Sequence, residues 1–266
     1  MIQSRRTIGC TTSRRVVFAE VEDLSRRPSD PQRYLTEIRR IHMRVIAIGD
    51  VHGCFSQMTD LLELIQPTSD DQLVWLGDYV DRGPDSALVV QALIDRSNLH
   101  NDICLRGNHE IMMERALYSL PDRRSWGLSG GGATWDSYET HYGITDLDDV
   151  PDSHWGFIRS LKNCYATDAH IFVHASLDSS LPLEEQSDSD LFWGRFSSIG
   201  PHFSGKTVVC GHTSQKDGRP KSTAHSICID TWAYGDGWLT ALDTESGRYW
   251  QVNGSSFNRS VWIDEL

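Results

Sequence analysis

Gly49-Asp50-Val51-His52-Gly53, Gly77-Asp78-Tyr79-Val80-Asp81-Arg82-Gly83 and Gly107-Asn108-His109-Glu110 decide how this chain is read. Each stretch follows a short apolar run: Arg44 to Ile48, Leu73 to Leu76 and Ile103 to Leu105. Each is followed by a segment with helical spacing of apolar residues. Phe55, Met58, Leu61, Leu62 and Ile65 mark the first helix. The second opens near Pro84 and continues through Leu88, Val89, Ala92 and Leu93, with proline suited to a first turn. The third is predicted over Glu110 to Leu120. One Gly-Asp pair would be an ordinary turn. Three, at intervals of about 30 residues and at the ends of strands, are expected to converge on one crevice at the carboxyl edge of a sheet.

The rest of the chain changes character. Gly130-Gly131-Gly132 precedes two predicted helices, near Trp135 to His141 and Ser153 to Leu161. Beyond them the sequence is rich in strands: Cys164 to Ala166, Ala169 to Val173, Thr207 to Cys210, Ser226 to Ile229, and a hairpin from Trp238 to Val252 turning at Glu245-Ser246-Gly247. Helices alternating with strands first, and strands clustered later, predict an α/β fold of two mixed sheets in a sandwich, flanked by helices. Two later histidines, His174 and His212, also stand at strand ends. Carboxylate, imidazole and amide oxygen together form a donor set for borderline cations such as Mn²⁺, Fe or Zn²⁺.

Composition excludes several classes. The 266 residues carry a net charge of −12, and the nine Arg and five Asp or Glu of residues 1–42 leave about −16 for the rest. Such a body repels bare nucleic acid, so no nucleic-acid partner is expected. A phosphorylated substrate remains compatible, because bound cations reverse the local field. No apolar run approaches the roughly 18 residues of a membrane span, so no membrane partner is expected. The six cysteines are scattered singly without a C-x-x-C pair, which suggests a reducing, cytoplasmic setting. Residues 1–42, with their arginine pairs and little apolar periodicity, read as a poorly ordered extension to one catalytic domain over 43–266. No apolar segment follows Ser4-Arg5-Arg6, so these residues do not read as an export signal.

The order GDVHG, GDYVDRG, LRGNHE, VHA and CGHT resembles the phosphoprotein phosphatase family of metallophosphoesterases over Met43 to Asp243. Leu191-Phe192-Trp193-Gly194-Arg195 and Cys228-Ile229-Asp230-Thr231 make it most similar to the bacterial and phage branch, typified by lambda phosphatase. The resemblance implies the calcineurin-like fold and two divalent ions, with Mn²⁺ foremost. It assigns Asp50, His52 and Asp78 to the first ion and Asp78, Asn108, His174 and His212 to the second. It further implies His109 as the acid for the leaving group, Asp81 as its orienting partner, and Arg82 and Arg195 as grips on the phosphoryl oxygens. Two cations about 3.5 to 4 Å apart can activate a shared water for in-line displacement, so no covalent enzyme intermediate is needed.

The expected activity is therefore hydrolysis of phosphoserine and phosphothreonine in a phosphorylated protein or peptide. The alternative is hydrolysis of diadenosine tetraphosphate by a sister branch, which typically lacks the aspartate before Arg-Gly and shows GNHD in the third motif. Asp81 and Glu110 depart from that pattern. A metal-free scaffold of the same fold would have lost ligands or His109, and none is missing here.

Overall fold

A computed structural model describes residues 44–263, so the expectation about residues 1–42 lies outside the described residues. Eleven strands are described: β1 (Val45–Ile48), β2 (Gln72–Trp75), β3 (Ile103–Cys104), β4 (Cys164–Ala166), β5 (His170–Val173), β6 (Thr207–Cys210), β7 (Lys221–Ser222), β8 (Ser226–Cys228), β9 (Leu239–Asp243), β10 (Arg248–Val252) and β11 (Asn258–Trp262). They form one six-stranded sheet, ordered β11-β10-β9-β1-β2-β3, and one five-stranded sheet, ordered β4-β5-β6-β8-β7. Both are mixed. β1, β2 and β3 run parallel, as do β5, β6 and β8, while β9, β10, β11, β4 and β7 join antiparallel.

Alternation along β1 shows how the layers are built. Val45 and Ala47 point into the cluster between the sheets, with Leu76, Phe172, Val209 and Ile229. Ile46 and Ile48 point the other way, against the helical layer. That layer includes α1 (Phe55–Ile65), α2 (Ser86–Leu99), α3 (Asn108–Ala116), α4 (Leu120–Trp126), α5 (Gly132–Tyr142) and α6 (Asp152–Ser160). A further helix, α7 (Asp188–Trp193), packs Leu191 and Phe192 against the outer face of the second sheet. This is the expected α/β sandwich with helices on both outer faces.

One helical expectation needs correction. The single helix over Glu110 to Leu120 is two helices, α3 and α4, which meet at a break. Ser119 accepts a hydrogen bond from the Asp122 N–H, and Pro121 sits in the first turn of α4. A serine cap followed by proline starts a helix rather than continuing one. Between α4 and α5, Gly130 has φ +115° and bends the chain.

Candidate active site

All six parallel strands end at this site. Asp50 follows β1, Asp78 follows β2, Asn108 follows β3, His174 follows β5, His212 follows β6 and Asp230 follows β8. The first five are sequence-predicted ligands. Asp230 lies in Cys228-Ile229-Asp230-Thr231, for which the motifs imply no ligand. A carboxyl edge shared by two sheets is where α/β folds gather ligands.

The backbone there is held in costly conformations. His52, Asp78, Asp81, Arg82 and His212 all have positive φ, five of the eight such non-glycine residues described. Strain of this kind persists only where the surroundings impose it, and it clusters at functional sites. Gly107 and Gly211 allow close approach: a Cβ on Gly107 would lie 2.1 Å from Asp78 Oδ1, and one on Gly211 2.0 Å from Asp50 Oδ1.

The ligand atoms fall into two groups that share Asp78. His52, Asp78 and His109 form one, while Asp78, His174 and His212 form the other, with ligand atoms in each group within 4.8 Å of one another. Asn108 Oδ1 stands 2.9 Å from His174 Nε2 and 3.0 Å from His212 Nδ1. His52 Nδ1 donates to the Val80 carbonyl at 2.9 Å, and His174 Nδ1 to the Leu76 carbonyl at 2.8 Å. Each bond fixes the tautomer, so the Nε2 lone pair of each ring faces the centre. Asp50 lies outside both groups. Its carboxylate accepts the His212 N–H at 3.0 Å, linking the first sheet's loop to the second sheet's.

The electrostatics fit a cation. Burial, with Asp230 and Asp78 nearby, raises the Asp50 carboxyl well above the usual carboxylate range. Burial also raises Asp230, whose carboxylate accepts from Ser214 Oγ at 2.6 Å and the Trp232 N–H at 3.0 Å. Three buried carboxylates in one place are costly without positive charge. Burial lowers His212 to about 4, assisted by His174, and holds His52 well below the ordinary histidine range. Neutral imidazoles and crowded carboxylates are the state a metal ion requires.

The proposed catalytic residues are placed unevenly. His109 Nδ1 and Asp81 Oδ2 are 2.6 Å apart and buried, which gives the expected pair. Burial alone would lower His109, but Asp78 and Asp81 outweigh it and raise the imidazole. Arg82 Nη1 donates to His52 Nε2 at 2.8 Å, and its guanidinium lies 4.6 Å above the Tyr234 ring. Arg195 is exposed. Its side chain makes no hydrogen bond or ion pair among the described residues, though the Phe196 N–H beside it donates to Thr213, next to His212.

A sequence profile of the calcineurin-like phosphoesterases matches residues 43–237. The chain belongs to this family. The buried His/Asp cluster of this family member can bind metal. The chain is similar to a "Bis(5'-nucleosyl)-tetraphosphatase, symmetrical" from Cellvibrio japonicus (strain Ueda107), 28% identical over 172 residues, covering 61% of this chain and 58% of the relative. The enzyme of the same name from Wigglesworthia glossinidia brevipalpis is 38% identical over 65 residues, 24% of this chain and 23% of that one. The chain therefore spans less than two thirds of either curated relative. Among solved structures, a putative diadenosine tetraphosphatase superposes with TM-score 0.56 at 21% identity, covering 83% of this chain and 94% of that one. A cold-active protein tyrosine phosphatase superposes with TM-score 0.58 at 19% identity, covering 82% and 78%. At those identities the likeness to this calcineurin-like phosphoesterase is one of fold.

Proposed function

We propose that this phosphoesterase hydrolyses dinucleoside tetraphosphates, releasing two nucleoside diphosphates. The observation that carries the reading is the activity named for both curated relatives, against the phosphoprotein substrate suggested by the motifs. The site is compatible with it. Tyr234 lies beside Arg82, with the Trp232 ring 6.2 Å from it and edge-on, so a nucleobase could stack where the phosphate chain is gripped.

Asp50, His52 and Asp78 would hold one divalent ion, and Asp78, Asn108, His174 and His212 the other. Mn²⁺ suits this mixed set, as do Fe and Zn²⁺. When bound, such ions supply an activated water and neutralise charge on the phosphoryl oxygens. Arg82 and Arg195 pair their planar donors with those oxygens and strengthen as negative charge develops. His109, protonated and held by Asp81, faces the leaving oxygen and gives it a proton as the phosphorus–oxygen bond breaks. Asp81 keeps the imidazole in the tautomer that exposes Nε2 to the substrate.

The second reading, a phosphoserine or phosphothreonine protein phosphatase, is favoured by that same Asp81–His109 pair. Alkoxide leaving groups need a proton far more than a nucleoside diphosphate does. Diadenosine tetraphosphate and a phosphoserine peptide, each offered to metal-stripped protein resupplied with Mn²⁺, separate the two. The proposal expects ADP as the sole nucleotide product and at least tenfold higher kcat/KM on the dinucleotide. Phosphate release from the peptide with no ADP from the dinucleotide would establish the second reading instead.

A further inference from the structure

The glycine-rich segment between α4 and α5 has no place in the motif-based account, yet it encloses Asp81 and Arg82. Trp126 Nε1, at the end of α4, stands 2.9 Å from both Asp81 carboxylate oxygens. Thr134 Oγ1, in the first turn of α5, donates to Asp81 Oδ1 at 2.7 Å and accepts the Asp81 N–H at 2.8 Å. The carbonyl of Gly130 accepts the Arg82 N–H at 3.1 Å. Asp81 and Arg82 are consecutive non-glycine residues with φ of 74° and 72°, a conformation that needs such support.

The glycines make the enclosure possible. A Cβ on Gly130 would come within 2.7 Å of Arg82 Cγ, and one on Gly131 within 2.4 Å of the Trp126 ring. The carboxylate of Asp81, itself fully buried, thus meets three side-chain donors, Trp126, Thr134 and His109. A buried carboxylate with fewer donors could rotate, and its grip on His109 would loosen.

We infer that Trp126 and Thr134 are positioning residues that fix the Asp81 carboxylate, and through it the His109 imidazole, for proton delivery to the leaving oxygen. The inference rests on the assignment of His109 as the acid. Their side chains hydrogen-bond Asp81 and Ser86, none of the proposed metal ligands. Both should therefore affect reactions with poor leaving groups and spare those with good ones.

The test compares phenyl phosphate, a poor leaving group, with p-nitrophenyl phosphate, a good one, on the Mn²⁺-loaded full chain. Trp126→Phe keeps the ring and loses the donor; Thr134→Val keeps the shape and loses the hydroxyl, while Thr134→Ser restores it. Trp126→Phe and Thr134→Val are each expected to lower kcat for phenyl phosphate roughly tenfold, with KM, Mn²⁺ content and p-nitrophenyl phosphate turnover within about twofold. Thr134→Ser should recover most of the loss, and neither variant should lose further activity in a His109→Asn background. Equal losses on both substrates, losses that multiply with His109→Asn, or a loss of Mn²⁺ would overturn the inference. Selective loss in His109→Asn with none in either positioning variant overturns it alone. Absence of selectivity in His109→Asn overturns the acid assignment as well. Should Trp126→Phe fail to fold, the Thr134→Val and Thr134→Ser pair decides the same question.

Discussion

Glu110 gathers four backbone N–H groups onto one buried carboxylate. Oε1 accepts from Tyr79 at 2.7 Å and Val80 at 3.2 Å, while Oε2 accepts from Asp78 at 3.0 Å and Gly107 at 2.9 Å. It thereby ties the second loop, which carries Asp78, common to both candidate ligand groups, to the third, which carries Asn108. Burial and the nearby Asp78 push its carboxyl up to about 7 against the pull of those donors. Glu110→Gln replaces one acceptor oxygen by an N–H₂ group facing two donors, and Asp78 should lose its fixed aim. Outer-shell changes of this kind typically cost about 10- to 100-fold in metal affinity. We therefore expect the Mn²⁺ concentration for half-occupancy to rise by about that factor in a calorimetric titration, with the fold retained. Unchanged affinity would show that the loops hold their positions without Glu110. The sequence displays Glu110 beside the ligand motif but not its work, because three of its four partners are backbone amides 30 to 32 positions away.

At the scale of elements, the βα repeat is legible because both of its periods are strong. The reading placed α1 at its observed bounds, and β4 and β6 likewise. β7, β11 and α7 escaped it. β7 is two exposed residues at a sheet edge, and β11 is an edge strand with an exposed alternating pattern, so neither buries enough to leave a clear signal. The packing of helices against one another is equally hidden from a linear reading. His154 on α6 is buried, 2.8 Å from Tyr138 on α5 and 3.0 Å from Gln91 on α2, so one imidazole joins three helices. Burial lowers its pKa below the ordinary 6.5. The unfolded chain then binds a proton near 6.5 that the folded chain refuses, so stability is lost as pH falls below 6.5 towards the depressed folded value. The slope contributed is at most about 1.4 kcal/mol per pH unit. Denaturant melts of the wild type and His154→Gln over that range should show a shallower fall in the variant. Identical slopes would remove His154 from the pH response.

At the scale of the molecule, two sheets contribute equally to one edge, three parallel strands from each. The sequence revealed this for five of the six, because Asp50, Asp78, Asn108, His174 and His212 each follow an apolar run. Asp230 follows one too, but a lone Asp after a strand looks like a turn until burial is known. The branch within the family was harder to read. Asp81 and Glu110 belong to the motif set of the phosphoprotein phosphatases, whereas the curated relatives carry a dinucleoside tetraphosphatase name. Residues 230–237, which bring Tyr234 beside Arg82, show no periodicity from which a substrate can be read. Among the described residues no helix is long and apolar enough to cross a membrane, and the five described cysteines are free. The central proposal is that the convergent edge would hold two ions, with Asp78 serving both. Its most direct test is a Mn²⁺ titration of metal-stripped protein, following bound metal and p-nitrophenyl phosphate turnover together. The account predicts two ions per chain, activity that returns with them, and loss of both in Asp78→Asn; full turnover by metal-free protein would contradict it.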